Sequence, residues 1–291
     1  LEYELLAGRY SPLEGYDGFV DKLQKMQDYY TRLKEVLRGV DTYWLNEPLR
    51  TVFNHSHNLY IDGGDQAMRY GLGISYNNRD GGMKKSDRDG LGVNIDLIYR
   101  RKGLLFSNKA SVDLSNSERE PVAFSQFSRA NPYYRKKQEN GVIPMYLERK
   151  TGLYGEDMLN PLYVWNIENT NTSKDLALRD NFTMEWTTFD ALRLRARLGI
   201  SKSISKTEAF KSPNHTDFLQ TEKLKKGSFS FNQNESFSYN GDLNIIFGKI
   251  FKNIHQVNFV GGWSFSESRS EASGYSVVGF NDDFHKNPAY S

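Results

Sequence analysis

The sequence has no cysteine among its 291 residues, so disulfide scaffolds and thiolate metal sites are excluded. It also has no run of about 18 apolar residues, the length that a membrane-spanning helix needs. The formal net charge is only +2, so the overall charge gives no indication of a nucleic-acid partner. The mean hydropathy of −0.67 is typical of a water-soluble protein, but the alternating strands of a membrane barrel lower this index as well.

What the sequence does have is a strict two-residue alternation of apolar and polar residues. In the segment 192–201 the apolar positions are Leu192, Leu194, Ala196, Leu198 and Ile200. The segment 236–247 repeats the pattern. Because side chains on a strand point alternately to opposite faces, each segment has one apolar and one polar face. The pattern predicts an all-β fold, an antiparallel transmembrane β-barrel segment, although it also fits a soluble sheet with one buried face.

This alternation predicts eight strands, at 57–63, 67–78, 90–102, 104–116, 175–189, 192–206, 236–249 and 255–270. The connections between them alternate between short turns and long polar loops. The predicted long loops are 79–89, 117–174, 207–235 and 271–291. Short turns on one rim and long loops on the other are the expected asymmetry of an outer-membrane barrel.

The first part of the chain follows a helical period instead. Apolar residues recur at three-and-four spacing, at Phe19, Leu23, Met26, Tyr30, Leu33 and Leu37. This spacing predicts an amphipathic helix over about 17–38. Gly39 follows Arg38 where a helix C-cap is expected. We therefore divide the chain into a helical segment with its connector at 1–56 and a partial barrel at 57–291.

Several stretches resemble one family when they are taken in order along the chain. They are 38–45 (RGVDTYWL), 47–50 (EPLR), 54–59 (NHSHNL), 70–76 (YGLGISY), 81–84 (GGMK) and 130–135 (ANPYYR). Together they resemble the region that follows the plug in SusC/RagA-type TonB-dependent transporters. The resemblance is strongest over 30–135; beyond that it depends on the barrel pattern.

The resemblance implies an outer-membrane importer of the Bacteroidetes type. Such proteins form a barrel of about 22 strands around a plug. They are energised by TonB, work with a SusD-like lipoprotein and take up oligosaccharides or peptides, with outer-membrane lipid around the barrel. About eight strands cannot close such a barrel, and no plug, TonB box or C-terminal barrel strand is recognisable, so we expect a fragment of a longer protein. The helix at 17–38 then fits a periplasmic insertion between early strands.

Arg193, Arg195 and Arg197 form the most concentrated charge on any predicted strand. Facing the lumen, this arginine row would attract an anionic substrate or pair with plug carboxylates, because a confined wet cleft focuses potential. The alternative is a set of ion pairs with neighbouring strands, for example with Glu185 or Asp242.

Aromatic residues in the loop 117–174 are the second candidate contact site, in particular Phe127, Tyr133 and Tyr134. Exposed aromatic side chains stack on sugar faces and anchor protein partners. We expect these residues to pack within the loop or against the SusD-like partner, or else to contact substrate directly.

The sequence predicts no metal site and no cofactor. His55 and His57 share one strand face, but no third ligand is evident nearby. The segment 87–90 faintly resembles a calcium loop but lacks the later bidentate glutamate, although the amides and carboxylates of 77–89 could still surround a calcium ion.

No nucleophile elbow, phosphate-binding glycine loop or HExxH helix is present, so the chain is not predicted to be an enzyme. The leading interpretation is part of a nutrient importer. The alternatives are a soluble or surface-attached all-β module that binds glycans and, less well supported, a carbohydrate-active enzyme that would need two close carboxylates. The apolar face separates the first two, since it would contact lipid in an importer and a second sheet in a soluble module.

Overall fold

The computed structural model of the protein describes residues 1–11, 18–149, 157–189 and 191–281. Its strands are β1 (His55–Gly64), β2 (Met68–Asn78), β3 (Asp87–Arg101), β4 (Leu104–Glu118), β5 (Tyr146–Glu148), β6 (Met158–Leu159), β7 (Asn169–Phe189), β8 (Leu192–Lys211), β9 (Ser228–Phe251) and β10 (His255–Val278). The eight long strands form one antiparallel sheet in chain order, while β5 and β6 pair separately. The all-β fold class is therefore confirmed.

The helices are few and lie in the first part of the chain and in the connections. They are α1 (Glu2–Leu6), α2 (Gly18–Leu37), α3 (Phe124–Ser128) and α4 (Pro161–Asn166), with short 3₁₀ helices at Trp44–Asn46, Thr216–Phe218 and Lys223–Lys225. Within the described ranges, no helix combines the length and the apolar character needed to cross a bilayer.

The register of the sheet aligns the apolar positions of neighbouring strands. Leu194 on β8, for example, lies opposite Trp186 on β7 and Ile245 on β9. The same alignment pairs Leu72 with Ile95, Val112 with Leu178 and Leu243 with Trp263. One side of the sheet, the apolar face, therefore carries an apolar band that runs from strand to strand, and the polar face carries the intervening residues.

The band has the height of a bilayer core. On β7 it runs from Trp186 to Leu176, a span of ten residues and about 33 Å along the strand. A strand of a membrane barrel tilts by about 40°, and at that tilt the span would measure about 25 Å along the membrane normal.

Charged side chains interrupt the band on β7 and on β8, and each has a partner on a neighbouring strand. Asp180 on β7 accepts a hydrogen bond from the side-chain amide of Asn108 on β4 at 2.5 Å. Lys202 on β8 binds Glu235 on β9 at 2.7 Å. Charged groups at membrane depth are expected to be paired in this way.

The short turns all lie at one end of the sheet. In the β3–β4 turn, Lys102 and Gly103 both have positive φ, 45° and 79°, as a two-residue hairpin turn demands. A Cβ atom at Gly103 would also lie 2.4 Å from the carbonyl oxygen of Thr187. This end is the short-turn rim, and the opposite end is the long-loop rim.

Several strands are longer than predicted. β9 begins at Ser228 and β10 continues to Val278, so much of the predicted loops 207–235 and 271–291 is strand. The part of the latter loop beyond 281 lies outside the described residues. Directly above the apolar band both faces are mainly polar, over 232–236 on β9 and 266–274 on β10, so the alternation lapses there although the backbone pairing continues.

Helix α2 lies at the long-loop rim, whereas a periplasmic insertion in a barrel of the predicted orientation would lie at the short-turn rim. The guanidinium of Arg32 binds Glu148 in the β4–β7 connection, with Nη2 2.8 Å from Oε2. The N–H of Arg50 donates to the carbonyl of Gly82 in the β2–β3 loop at 2.9 Å. Because the β1–β2 turn is short, the chain has to enter β1 from the long-loop rim, and the connector before β1 lies there.

The buried apolar side chains are concentrated at this rim, in what we call the rim cluster. Its members are Trp44, Val122, Phe127, Ala130, Tyr133, Tyr134, Leu162, Val164 and Trp165. They come from the connector before β1 and from the β4–β7 connection. Helix α4 is set in place by its N-cap, since the side chain of Asn160 accepts a hydrogen bond from the N–H of Leu162 at 3.0 Å. The rim cluster thus joins the first part of the chain to its longest connection.

Candidate functional site: the polar face and the long-loop rim

The polar face is lined mainly by serine, asparagine and glycine. On β8 these include Gly199, Ser201 and Ser203, which lie opposite Asn240, Ser238 and Ser236 on β9. The hydroxyls of Ser201 and Ser238 are hydrogen-bonded at 2.8 Å. Small polar side chains keep this surface hydrated and project only a short distance from the backbone, as on the inner wall of a wide barrel.

The arginine row lies on the polar face, as predicted. Arg197 donates from Nε to Asp242 on β9 at 2.7 Å, and Nε of Arg195 lies 3.1 Å from Oε1 of Glu185 on β7. The N–H of Arg195 is not aligned for a hydrogen bond, so we treat this contact as purely ionic. These are the two cross-strand partners that the ion-pair interpretation named. Arg193 is exposed and, among the described residues, has no carboxylate within 4.0 Å.

Further ion pairs cross the polar face between other strands. Arg179 on β7 binds Asp113 on β4 at 3.0 Å, and Lys109 on β4 lies 3.9 Å from Asp96 on β3. The charges of the face are thus largely neutralised from strand to strand. This arrangement leaves Arg193 as the member of the arginine row that is available to another group.

Phe127, Tyr133 and Tyr134, the three aromatic candidates of the loop, are buried in the rim cluster. Their exposed fractions are 0%, 5% and 7%. The ring of Phe127 packs edge-on against Trp165 with centroids 5.4 Å apart, and the two tyrosine rings pack on each other at 4.6 Å. None of the three presents a ring face to solvent, so packing within the loop is the role that the structure gives them.

The tyrosine hydroxyls belong to a buried polar network centred on Arg32. Arg32 is only 4% exposed and donates to Glu148 through two nitrogens, at 2.8 and 3.2 Å. It also donates to the hydroxyl of Tyr10 at 2.5 Å, and the hydroxyl of Tyr134 donates to Glu148. Glu4 accepts from the hydroxyl of Tyr133 at 3.0 Å. Helices α1 and α2 are therefore fastened to the β4–β7 connection by charged groups.

The electrostatics of the network follow from its burial and pairing. Burial raises the pKa of Tyr134, and its hydrogen bond to Glu148 raises that pKa further. Burial disfavours the charged form of Arg32, but hydrogen bonds with Glu148 and Tyr10 outweigh it and hold the pKa of Arg32 above its ordinary value. Burial opposes ionisation of Glu4 as well, yet hydrogen bonds and nearby arginines hold its pKa below the ordinary value. Near neutral pH, Arg32 and Glu4 are therefore charged and the hydroxyl of Tyr134 is neutral.

A cleft of about 580 Å³ opens beside this network, between α2 and the segment 133–148. Charged groups line it, and most of them are paired with one another. Arg135 binds Glu35, and Arg38 binds Glu35 at 3.0 Å. Tyr146 adds one more aromatic group to its wall. The cleft is a surface for polar contacts at the long-loop rim.

The metal candidates do not assemble a ligand set in the described part of the chain. His55 and His57 do share a face, with ring centroids 5.1 Å apart. No group of three or more histidine, aspartate or glutamate side chains that could hold a metal ion lies within the described ranges. In the β2–β3 loop the guanidinium of Arg50 binds Asp87 and lies 4.0 Å from Asp80, so an arginine neutralises two of the three carboxylates proposed for calcium.

The sequence analysis missed the Arg32 network. An arginine at a polar position of an amphipathic helix is expected to be exposed, and its partners Glu4 and Glu148 are distant in sequence. Much of the apolar stripe predicted for α2 is exposed instead, with Leu23 50% and Tyr30 59% exposed. In the described part of the chain, α2 is held by charge pairs, and no helical period reveals such pairs.

Comparisons with known proteins identify the fold. No protein-family model and no curated protein matches the chain. The solved structure of the RagAB peptide transporter matches 100% of this chain and 34% of its own, with a TM-score of 0.72 and 15% identity. The RagAB peptide importer in its "closed-closed" and "open-open" states matches with TM-scores of 0.70 and 0.68, each at 16% identity, 97% of this chain and 33% of its own.

The chain therefore spans about a third of the length of these structures. At this identity the likeness establishes the fold: an eight-stranded antiparallel segment of the kind that those transporter structures contain.

Proposed function

We propose that the chain is part of the barrel wall of an outer-membrane, TonB-dependent importer of nutrients. The observation that carries the proposal is the apolar band, about 25 Å tall, on one face of a sheet whose other face is polar. The fold likeness to RagAB transporter structures over the whole chain supports it. The short-turn rim would face the periplasm and the long-loop rim the outside of the cell.

The proposal assigns three tasks to the residues of this chain. The apolar face contacts lipid, and the polar face lines a hydrated lumen in which Arg193 is the available cation. The rim cluster and the Arg32 network hold the longest connection and the helices together at the outer rim. Coupling to TonB would belong to parts of the protein beyond these strands, and no catalytic step is assigned to the chain.

The partners follow from the same proposal. A SusD-like lipoprotein would cover the long-loop rim, and the substrates would be oligosaccharides or peptides. RagAB is described as a peptide importer, which makes peptides the first substrates to try. The charged cleft beside Arg32 and the polar face are both compatible with a polar oligomer.

A soluble glycan-binding module is less well supported. Such a module would cover Leu198, Phe237 and Ile245 with a second sheet, yet these side chains are 37%, 41% and 37% exposed. In the described part of the chain the only other sheet is the two-stranded pair β5 and β6. The aromatic residues that were to bind glycans are buried in the rim cluster.

The lipid-facing assignment can be tested by single-cysteine labelling of the full-length protein in its membrane, because this chain contributes no cysteine of its own. Leu198→Cys lies on the apolar face and Ser201→Cys on the polar face. We expect a lipid-soluble maleimide to label the first and a membrane-impermeant thiosulfonate to label the second. Equal labelling of both positions by the impermeant reagent would contradict the assignment.

Import itself needs a separate test. A strain that lacks the gene is complemented with the wild-type protein and grown on single oligosaccharides or peptides as the limiting nutrient. We expect restored growth on at least one class and co-purification of a lipoprotein with the tagged importer. Growth of the deletion strain on every nutrient at the wild-type rate would argue against an import function.

A further inference from the structure

A row of four hydrogen-bond donors crosses the apolar face at the top of the apolar band. The register places Asn116 on β4 opposite Lys174 on β7, Lys174 opposite Lys206 on β8, and Lys206 opposite Gln233 on β9. All four positions have the parity of the apolar residues below them. We call them the donor row, and its two central members are exposed lysines.

The donor row begins where the apolar band ends. Lys174 follows Leu176 as the next residue on the same face of β7, and Lys206 follows Ile204 in the same way on β8. The band below Lys174 is about 25 Å tall, the thickness of the apolar zone of a barrel. The lysines therefore lie at the level of lipid headgroups on the side of the long-loop rim.

The two lysines have no ionic partner of their own in the structure. Like charges directly opposite each other on neighbouring strands are destabilising, yet neither Lys174 nor Lys206 has a carboxylate within 4.0 Å among the described residues. On β9, the carboxylate nearest to Lys206 on the same face is Glu235, which lies opposite Ile204. Glu235 is already bound to Lys202 at 2.7 Å.

The other acidic groups near the donor row are engaged or displaced. Asp89, on the far side of Asn116, accepts a hydrogen bond from Asn78 at 3.0 Å. Glu118 and Glu208 are the next residues above Asn116 and Lys206 on the same face, and among the described residues neither has a lysine or arginine nitrogen within 4.0 Å. The row is therefore a cationic, donor-rich strip, and it needs an anion to offset the repulsion between its lysines.

We propose that the donor row binds the phosphate group of a lipid in the outer leaflet. This inference rests on the proposed function, since it requires lipid around the apolar face. The oxygens of one phosphate group can accept hydrogen bonds from both ammonium groups, because the two lysines lie on neighbouring strands about 5 Å apart, and such charge-assisted bonds are strong. Lipid is favoured over free phosphate because the row is continuous with the apolar band, where acyl chains would pack.

The test uses the full-length protein, purified from outer membranes in a non-ionic detergent. Binding of a fluorescent diphosphoryl lipid A is measured by anisotropy for the wild type and for Lys174→Gln/Lys206→Gln. We expect the double variant to bind about 30-fold more weakly, because each cation near an anionic lipid surface contributes about a factor of five. The variant Lys174→Arg/Lys206→Arg should retain binding, since it keeps both charges.

A matched control removes two other lysines from strands of the same sheet. Lys109 lies on the polar face, and Lys249 lies near the short-turn rim, where its ammonium is 5.5 Å from the ring centroid of Phe251. Lys109→Gln/Lys249→Gln makes the same change in net charge and should leave lipid binding unchanged. An equal loss in this control, or wild-type binding by Lys174→Gln/Lys206→Gln, would overturn the donor row as the site.

Inorganic phosphate distinguishes the two sources of the ligand. If free phosphate at millimolar concentration displaces lipid A completely, the site takes soluble phosphate and the lipid assignment is overturned. Failure of the proposed function has a different signature, because a protein that stays monodisperse without detergent has no lipid-facing band at all. The inference and the proposed function can therefore fail independently.

Discussion

The rim cluster differs from the eight-stranded sheet, which we call the wall, in how far its apolar side chains are buried. In the rim cluster Phe127 is fully buried, as in the core of a water-soluble domain. On the apolar face of the wall Ile95 is 50% and Leu114 is 45% exposed, although both are surrounded by apolar neighbours in the register. One polypeptide thus carries two kinds of apolar surface, one covered by its own chain and one left for another medium.

The two regions therefore obtain their stability in different ways. The rim cluster is stabilised by burial from water and by close packing. The wall is stabilised by its ladder of backbone hydrogen bonds, and its apolar face contributes only where lipid replaces water. Substitutions should have effects that depend on the region, even when the chemistry of the change is similar.

The largest effect is expected at the centre of the rim cluster. Phe127→Ala should destabilise the cluster by about 3–5 kcal/mol, because it removes a fully buried ring and leaves a cavity. Hydrogen exchange of the full-length protein should show faster exchange in the β4–β7 connection and unchanged exchange in β8 and β9. Phe124→Ala, on an exposed ring of the same helix α3, is the control. Equal loosening of wall and rim would mean that the two regions are not separate.

The next effect concerns the apolar face. Leu194→Arg should cost about 2–4 kcal/mol and block membrane assembly, because it places a cation on the lipid side of the barrel. Ser203→Arg is the matched change on the polar face, where Ser203 lies between Ala177 and Ser236. We expect normal yield of the second variant, scored by heat-modifiable migration in outer-membrane fractions. Equal yields of the two variants would contradict the facing assignment.

The sequence was sufficient for the wall because one physical rule governs it. An apolar face and a polar face impose a two-residue period on each strand, and that period located all eight long strands. The upper ends of the strands were underestimated, because β9 and β10 continue above the band through segments that are mainly polar on both faces. The ion-pair partners of Arg195 and Arg197 could also be predicted, because Glu185 and Asp242 lie on neighbouring strands.

The rim was harder because its contacts are distant in sequence. Arg32 and Glu148 are held together by tertiary structure, and no local period marks either one. The rim on which α2 lies was nevertheless predictable. Because the turn after β1 is short, β1 begins at the long-loop rim. The segment before β1, which contains α2, is therefore expected at that rim.

A smaller effect should separate the two regions by pH. Hydrogen bonds and arginine charges hold the pKa of Glu4 below its ordinary value of 4.5 despite its burial. A carboxyl group with a lowered folded pKa adds stability above its unfolded pKa, and this stability is lost as the pH falls through the folded value. We therefore expect the rim cluster, followed by hydrogen exchange, to loosen below about pH 4.5 while the wall does not.

The control for this prediction is Glu4→Gln, which cannot ionise. It should weaken the acid dependence without abolishing it, because the pKa of Glu35 is lowered as well: burial opposes its ionisation, but Arg135 and Arg38 outweigh that effect. An unchanged acid dependence in Glu4→Gln would show that Glu4 is not the group that titrates.

The smallest effect is expected on the polar face. Arg197→Gln breaks the pair with Asp242, but the arginine side chain is 51% exposed, so the loss should be about 0.2–1 kcal/mol and smaller still in high salt. Arg193→Gln is the control, since Arg193 has no ion pair in the described part of the chain. Chemical denaturation of the full-length protein in detergent measures both. A loss of several kcal/mol from Arg197→Gln would mean that this pair is as well shielded from water as the Arg32 network. Slowed import by Arg193→Gln at unchanged stability would instead indicate that Arg193 contacts the transported substrate.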